Sequence, residues 1–231
     1  LMYTYGAIVS ELKKNGIESP QLEARELLYE FCGVGRAEIL THPEREYESP
    51  ELDLAVQKRC SRIPLQYIIG RCGFRGGIFK VTEDTLIPRA DTEMLVEFAA
   101  QKLPKGARIL DLCTGSGCVA VSLWKELESS FDVQKMSFFA TDISPDALSI
   151  AKQNCSFHQC DIEFLLCDLL QAKELVGLDG IISNPPYVPN EIATKLLIII
   201  SDPAGEQMHR KLSGRMEWAM SRSAAFAAAQ K

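Results

Sequence analysis

The stretch "ARILDLCTGSGCVAVSL", residues 107–123, decides the fold of this chain. Its first part, through Cys113, is an apolar run typical of a buried strand, and the part from Gly117 onward has helical spacing. Small residues at 115 and 117 permit a tight turn that brings the backbone close to a ligand, just before a helix N-terminus. A strand, a glycine turn and a helix in this order predict the first unit of an α/β fold.

The same alternation continues on both sides of that stretch. Upstream, "TEMLVEFAAQKL" has helical spacing; downstream, "MSFFATDI" predicts a second strand, and Ser144-Pro145 opens the helix "DALSIAKQN". "IEFLLCDLL" and "LDGIISN" predict a third and a fourth strand. Strands alternating with helices imply a parallel sheet covered on both faces. In such sheets ligands bind outside the carboxyl ends of the strands.

Polar residues stand at each of these strand ends. Asp142 ends the second strand, where a carboxylate accepts hydrogen bonds from the two hydroxyls of a ribose. Asp168 ends the third strand and suits an adenine amino group, and the fourth ends in "NPPY", residues 184–187. A lone Gly-x-Gly turn is often a plain connection, and a lone Asp is often a helix cap. Together with the glycine turn that ends the first strand, these make four strand ends that all suit one nucleoside, and they favour a nucleoside site.

The N-terminal residues, 1 to about 80, predict helices followed by a short hairpin. Ser19-Pro20 and Ser49-Pro50 each fit an N-cap with proline at the first helical position. In the first of these helices we expect one apolar face, and Gly33 follows its end. That face comprises Leu22, Leu27, Leu28 and Phe31. The glycine-rich "GRCGFRGGIFKVTEDTLIPR" predicts the hairpin.

Three segments resemble the release factor glutamine methyltransferases, which are class I S-adenosylmethionine-dependent methyltransferases with an NPPY motif. They are "PLQYIIGRCGFRGGIFKVTEDTLIPRADTEMLVE", "DLCTGSGCVAVSL" and "SNPPYVP". The resemblance covers roughly residues 1–192. It implies an α/β fold: a Rossmann-like class I methyltransferase domain at 91–231, a helical substrate-recognition domain at 1–72 and a linking β-hairpin at 73–90.

The resemblance also implies the cofactor, S-adenosyl-L-methionine, and the residues that bind it. Cys113 stands where the glycine-rich loop of the family often has its first glycine, and because cysteine is small we expect the turn to survive. The implied cofactor-binding residues are Asp111, Cys113, Thr114, Gly115, Ser116, Gly117, Asp142, Ile143, Asp168, Leu169 and Asn184.

We expect three residues of the NPPY loop to be catalytic, namely Asn184, Pro185 and Tyr187. We expect the same three residues, together with Pro186, to bind the substrate. A glutamine nitrogen is a poor nucleophile because its lone pair is delocalised, so alignment is the main task. The Asn184 oxygen and the Pro185 carbonyl each accept one amide N–H and aim the nitrogen at the methyl group. The two prolines stiffen the loop, and the Tyr187 ring meets the planar amide. The implied protein substrate is a peptide chain release factor.

The chain departs from the family pattern after "NPPYVPNEIATK". The family continues with two more strands and their helices, whereas here "LLIIISDPAGEQ" follows almost at once and resembles the family's last strand. We therefore expect the methyltransferase domain to lack part of its C-terminal sheet. Residues 208–231 resemble no part of the family.

Composition limits the partners. A net charge of −6 and a pI near 5.2 argue against direct nucleic-acid binding. The sequence contains no run of eighteen apolar residues, so we expect no membrane-spanning helix. The first residues do not resemble a signal peptide. The eight cysteines form no C-x-x-C pair and histidines number three, so we expect no metal and reduced thiols in the cytoplasm. We expect a monomer.

Three other functions stay open from the sequence. "GSGCVA" also fits the G-x-G-x-x-A turn of a dehydrogenase, although that function leaves NPPY unexplained. An adenine-N6 nucleic-acid methyltransferase shares NPPY, but it needs base flipping and a basic channel, which the net charge opposes. An inactive binding module of the same fold is the third alternative.

Overall fold

The computed structural model describes residues 2–129, 133–168 and 175–184, and the backbone of two further strands at 197–201 and 207–211. The chain divides into two compact units between Arg71 and Cys72. Each unit has a hydrophobic core of its own.

The N-terminal unit is helical, as the sequence predicts, with one short pair of strands. Strands β1 and β2 pair antiparallel, with Tyr3 opposite Tyr47. The elements in chain order are β1 (Met2–Tyr3), α1 (Tyr5–Lys14), α2 (Pro20–Cys32), α3 (Arg36–Thr41), β2 (Tyr47–Glu48), α4 (Pro50–Cys60) and α5 (Leu65–Ile69).

Helix α2 shows where its sequence pattern succeeds and where it fails. Leu27 and Leu28 are fully buried, and Gly33 ends the helix in the left-handed conformation. Leu22, which we expected on the same face, is 49% exposed. Five residues separate Leu22 from Leu27, and at about 100° per residue the two side chains point about 140° apart. Ser19 makes no side-chain cap bond, whereas Ser49 Oγ caps α4 by accepting the Leu52 N–H at 3.1 Å.

The second unit begins with a hairpin and continues as alternating strands and helices. The predicted class, an α/β fold with a small N-terminal helical domain, is confirmed. Its elements are β3 (Arg71–Phe74), β4 (Gly77–Lys80), α6 (Ala90–Lys102), β5 (Arg108–Leu112), α7 (Cys118–Glu128), a 3₁₀ turn (Val133–Lys135), β6 (Ser137–Asp142), α8 (Pro145–Phe157), β7 (Glu163–Leu166), β8 (Gly180–Ser183), β9 (Leu197–Ser201) and β10 (Gln207–Lys211).

Six described strands form one sheet in the order β10-β9-β8-β5-β6-β7. The four strands β8, β5, β6 and β7 are parallel, whereas β9 runs antiparallel to β8 and β10 antiparallel to β9. The chain builds β5, β6 and β7 outward and then returns to place β8 on the other side of β5. The order therefore reverses between β5 and β8, which is where open α/β sheets bind ligands.

Successive residues of the central strands enter different cores. Ile109 and Ile182 belong to the core formed with α6, α7 and the hairpin, whereas their neighbours Leu110 and Ile181 face the opposite side of the sheet. This period of two buries both faces, as expected for parallel strands with helical crossovers.

The hairpin β3–β4 belongs structurally to the second unit. Phe74 and Phe79 are almost fully buried in the core of that unit, with their rings edge-to-face at a centroid separation of 6.1 Å. The division of the chain into functional domains at 1–72, 73–90 and 91–231 stays a prediction. None of the helices in the described part of the chain is long and apolar enough to span a membrane.

Candidate active site

The loop after β5 turns through three residues with positive φ. Cys113 has φ 61°, Gly115 φ 55° and Gly117 φ 77°. The expected turn thus forms with a cysteine in a conformation that favours glycine, at a strain of roughly 1–2 kcal/mol. Gly117 is the N-cap residue of α7, so the loop leads directly into the N-terminus of that helix.

The two glycines are needed for different reasons. A Cβ at Gly117 would lie 3.0 Å from the Ala151 Cβ of α8, so this glycine permits close packing of the loop on that helix. A Cβ at Gly115 would meet no atom within 4 Å. Gly115 therefore serves backbone conformation alone and leaves open space beside the loop.

Asp111 of β5 braces this loop through side-chain hydrogen bonds. Its side chain is 3% exposed, and its Oδ2 accepts the Thr114 hydroxyl at 2.6 Å and the Ala120 N–H at 3.2 Å. Burial raises the pKa of this carboxyl to about 7, and the nearby Asp142 charge acts in the same direction. Asp111 also lines the small cavity described below, but its Oδ2 is already occupied by the hydrogen bonds from Thr114 and Ala120.

Asp142, at the end of β6, holds the loop by a hydrogen bond from the loop backbone. Its Oδ2 accepts the Gly115 N–H at 2.9 Å, and its Oδ1 accepts the Ser144 N–H at 3.0 Å. A carboxylate offers about four lone-pair positions, so each oxygen keeps capacity for a further donor. The half-buried carboxylate is therefore suited to accept two neighbouring hydroxyls.

The other predicted nucleoside contacts lie farther out. Ile143 is 70% exposed directly after Asp142, and Asp168 is exposed two residues beyond the end of β7. Burial raises the pKa of the Cys113 thiol to about 11, and the charges of Asp142, Asp111 and Asp168 add to that effect. The carboxylates near Cys113 make this edge of the sheet favourable to a cation.

Asn184 follows the last residue of β8. Strand pairing sets Ser183 opposite Leu112, and the Ser183 hydroxyl donates to the Leu112 carbonyl at 2.7 Å. The Asn184 Nδ2 donates to the Thr92 Oγ1 of α6 at 3.1 Å. Within the described part of the chain, the Asn184 Oδ1 accepts no hydrogen bond.

Asn184 and the glycine loop line one small cavity of about 40 Å³. The structure thus brings together six of the predicted residues, which are Asp111, Cys113, Thr114, Gly115, Ser116 and Asn184. Gly117, Asp142, Ile143 and Asp168 lie outside its lining. Leu169, Pro185, Pro186 and Tyr187 lie outside the described residues. The cavity is completed by Leu86, Pro88, Thr92, Cys118 and Val119.

Sequence reasoning missed Thr92 and Asn154. Asn154 of α8 is 2% exposed, donates from Nδ2 to the Ser116 carbonyl at 2.8 Å and to the Lys80 carbonyl at 3.0 Å, and accepts the Lys80 N–H at 2.7 Å. It ties the glycine loop to the hairpin. The one signal in the sequence for the role of Asn154 was its position as a polar residue on the apolar face of a predicted helix.

Metal chemistry has no candidate site in the described ranges. No group of three or more His, Cys, Asp or Glu side chains there is arranged to hold a metal ion. The thiols of the described residues are free, and burial raises the pKa of several of them, including the Cys118 thiol to about 12.

Comparison with protein families matches both units. The model of the PrmC N-terminal domain matches residues 7–70, and that of the methyltransferase small domain matches residues 89–205. The second match covers about half of the chain.

Curated relatives match along most of the chain. A release factor glutamine methyltransferase of Koribacter versatilis is 38% identical over 208 residues, which cover 87% of this chain and 72% of the relative. That of Flavobacterium psychrophilum is 42% identical over 173 residues, covering 71% and 59%. That of Geobacter sulfurreducens is 35% identical over 181 residues, covering 77% and 62%. The chain thus spans about three fifths to seven tenths of the length of these relatives.

Solved structures match more distantly. The tRNA (uracil-54, C5)-methyltransferase of Pyrococcus abyssi, in complex with S-adenosyl-L-homocysteine, is 20% identical with a TM-score of 0.40, over 50% of this chain and 28% of that one. The ribosomal protein L11 methylase of Lactobacillus delbrueckii subsp. bulgaricus is 23% identical with a TM-score of 0.37, over 46% and 51%. The fold class follows instead from the strand order.

Proposed function

Because this chain belongs to the release factor glutamine methyltransferase family, we propose that it transfers a methyl group from S-adenosylmethionine to a glutamine side-chain nitrogen of a peptide chain release factor. One observation carries the proposal. The Asn184 side chain and the glycine loop, which are 68 residues apart at Ser116, line a single cavity at the strand-order reversal. A group held on the loop and an amide held by Asn184 would therefore meet.

The residues present fit S-adenosylmethionine. Gly115 leaves space beside the loop, and Asp142 keeps acceptor capacity for the ribose hydroxyls. The Ser116 hydroxyl is buried and has no nitrogen or oxygen partner among the described residues. The bound cofactor supplies an electrophilic methyl group on a positively charged sulfur, and the carboxylates at this edge favour that charge.

The task of Asn184 is to orient the substrate amide. Its Nδ2 is engaged by Thr92, so the amide plane directs Oδ1 away from that helix, where it accepts one N–H of the substrate glutamine. This hydrogen bond aims the nitrogen and stabilises positive charge that builds on it as the new C–N bond forms. The nitrogen then releases one proton to water. We propose that Pro185 supplies the second acceptor and that Pro186 and Tyr187 hold the amide plane.

We propose that the N-terminal unit carries part of the recognition of the protein substrate, because one glutamine side chain offers too little surface to select a single protein. We place the reaction in the cytoplasm, with a monomeric enzyme and no direct contact to nucleic acid. The net charge of −6 supports the last point.

Mass spectrometry tests the proposed reaction. The chain is incubated with methyl-labelled S-adenosylmethionine and either a release factor, the same factor with its methylated glutamine changed to alanine, or an adenine-containing oligonucleotide. We expect one methyl group on one glutamine of the intact factor and none in the other two samples. Methylation of the oligonucleotide would support the adenine-N6 alternative instead, and cofactor binding without any transfer would support the inactive module.

Deletion of the N-terminal unit tests its assignment. The deletion should end at residue 70, because Phe74 and Phe79 belong to the core of the second unit. We expect methylation of the release factor to be lost while S-adenosylhomocysteine still binds, which shows that the second unit has folded. Full activity of the shortened chain on the intact factor would assign the helices a structural function only.

A further inference from the structure

Thr92 is the polar partner of Asn184 among the described residues. Its Oγ1 accepts the Asn184 Nδ2–H at 3.1 Å, across 92 residues of sequence. Thr92 is 2% exposed and lies in the first turn of α6, where its own N–H donates to the Arg89 carbonyl at 2.9 Å. The hydroxyl is therefore held on a rigid element and faces the same cavity as Asn184.

The backbone and the side chain of Asn184 are fixed by different contacts. Pairing of β8 with β5 and the Ser183–Leu112 hydrogen bond set the end of the strand. Neither contact fixes the rotation of the Asn184 amide about its terminal bond, since such sp³–sp² torsions are broad. The Thr92 hydroxyl supplies that restraint, because engaging Nδ2 determines where Oδ1 points.

We propose that Thr92 is a positioning residue for methyl transfer, which selects the orientation of the Asn184 amide that presents Oδ1 to the substrate glutamine. This inference rests on the proposed function. Thr92 acts through Asn184, and its hydroxyl need not touch the substrate. A site without it still binds the cofactor and the release factor, but it holds Oδ1 in place for only part of the time.

Thr92→Val is the test variant, because valine keeps the β-branched shape and removes the hydroxyl. We expect kcat for methylation of a release factor to fall about tenfold, while the KM for the factor and the affinity for S-adenosylhomocysteine change less than threefold. Thr92→Ser restores the hydroxyl and should recover most of the lost rate. Thr141→Val is the matched control: Thr141 is also fully buried, in β6, and its hydroxyl has no partner among the described residues.

A double-mutant cycle separates positioning from a general structural effect. If Thr92 acts through Asn184, Thr92→Val should have no further effect on kcat in the Asn184→Ala background. If Thr92 only stabilises α6, its effect on the rate should be the same in both backgrounds, and the proposal is then wrong. An unchanged kcat in Thr92→Val, or a valine variant and a serine variant that are equally slow, would also overturn it. An inactive wild-type chain would instead refute the proposed function.

Discussion

Substitution of Asp142 by alanine perturbs the loop and the cofactor site together. The carboxylate accepts the Gly115 and Ser144 N–H groups at 2.9 and 3.0 Å, so the change removes the acceptor that joins the glycine loop to the end of β6. Hydrogen bonds to a charged group contribute roughly 1.5–3 kcal/mol each. Because the carboxylate is half-buried and water partly replaces it, we expect a loss of about 2–4 kcal/mol in the free energy of unfolding.

The loss of cofactor affinity follows from the two remaining acceptor positions. If each accepts one ribose hydroxyl, about 1.5 kcal/mol per bond corresponds to roughly a hundredfold weaker binding when both are lost. Loosening of the loop acts in the same direction. Retention of one bond through a water molecule would leave about a tenfold effect.

Calorimetric titration with S-adenosylhomocysteine measures this affinity, and urea unfolding measures the stability of the same samples. Asp146→Ala is the matched control, since Asp146 is an exposed carboxylate in the first turn of α8. We expect normal affinity in the control and at least tenfold weaker binding in Asp142→Ala. Equal affinity in both variants would remove Asp142 from the cofactor site and refute the reasoning.

Three further predictions concern the same loop. Gly117→Ala should lower the free energy of unfolding in urea by at least ~1 kcal/mol more than Gly115→Ala, because both strain a positive φ but only the first meets Ala151; equal losses would contradict this. The folded chain keeps a proton on Asp111 up to a pKa of about 7, whereas the unfolded chain releases it near 3.8, so this group destabilises the fold as pH rises between these values. The stability difference between wild type and Asp111→Asn should therefore change by up to about 1.4 kcal/mol per pH unit in that window, and a constant difference would refute the buried carboxyl. Alkylation of Cys113 by iodoacetamide at pH 8, followed by peptide mass spectrometry, should be roughly a hundredfold slower than that of a free thiol, because its pKa is raised to about 11; a fast reaction would contradict that environment.

Local rules in the sequence predicted much of the fold. Ser144-Pro145 and Ser49-Pro50 begin helices with the expected caps, and Gly33 ends one. The apolar runs predicted all four parallel strands. The ends of these strands indicated the positions of the glycine loop after β5 and of Asp142 at the end of β6. These features depend on residues within a few positions of each other, so a single sequence contains the information.

Contacts between distant segments could not be predicted in this way. The partner of Asn184 is 92 residues away on α6, and Asn154 joins segments 38 and 74 residues away. Nothing in the local pattern of either segment specifies the other. Asp111 shows a related limit: the family resemblance implied a cofactor contact for it, but only the structure shows that its Oδ2 is used to brace the loop.

The most direct test of the account is the single-turnover rate of methyl transfer to a release factor, measured at saturating S-adenosylmethionine for wild type and Asn184→Ala. The variant removes one of two proposed acceptors for the glutamine N–H groups, and loss of such a placed group typically lowers the rate ~10²–10³-fold. We predict a decrease of that size with S-adenosylhomocysteine affinity unchanged within about threefold. A near-wild-type rate in Asn184→Ala would contradict the catalytic assignment of Asn184.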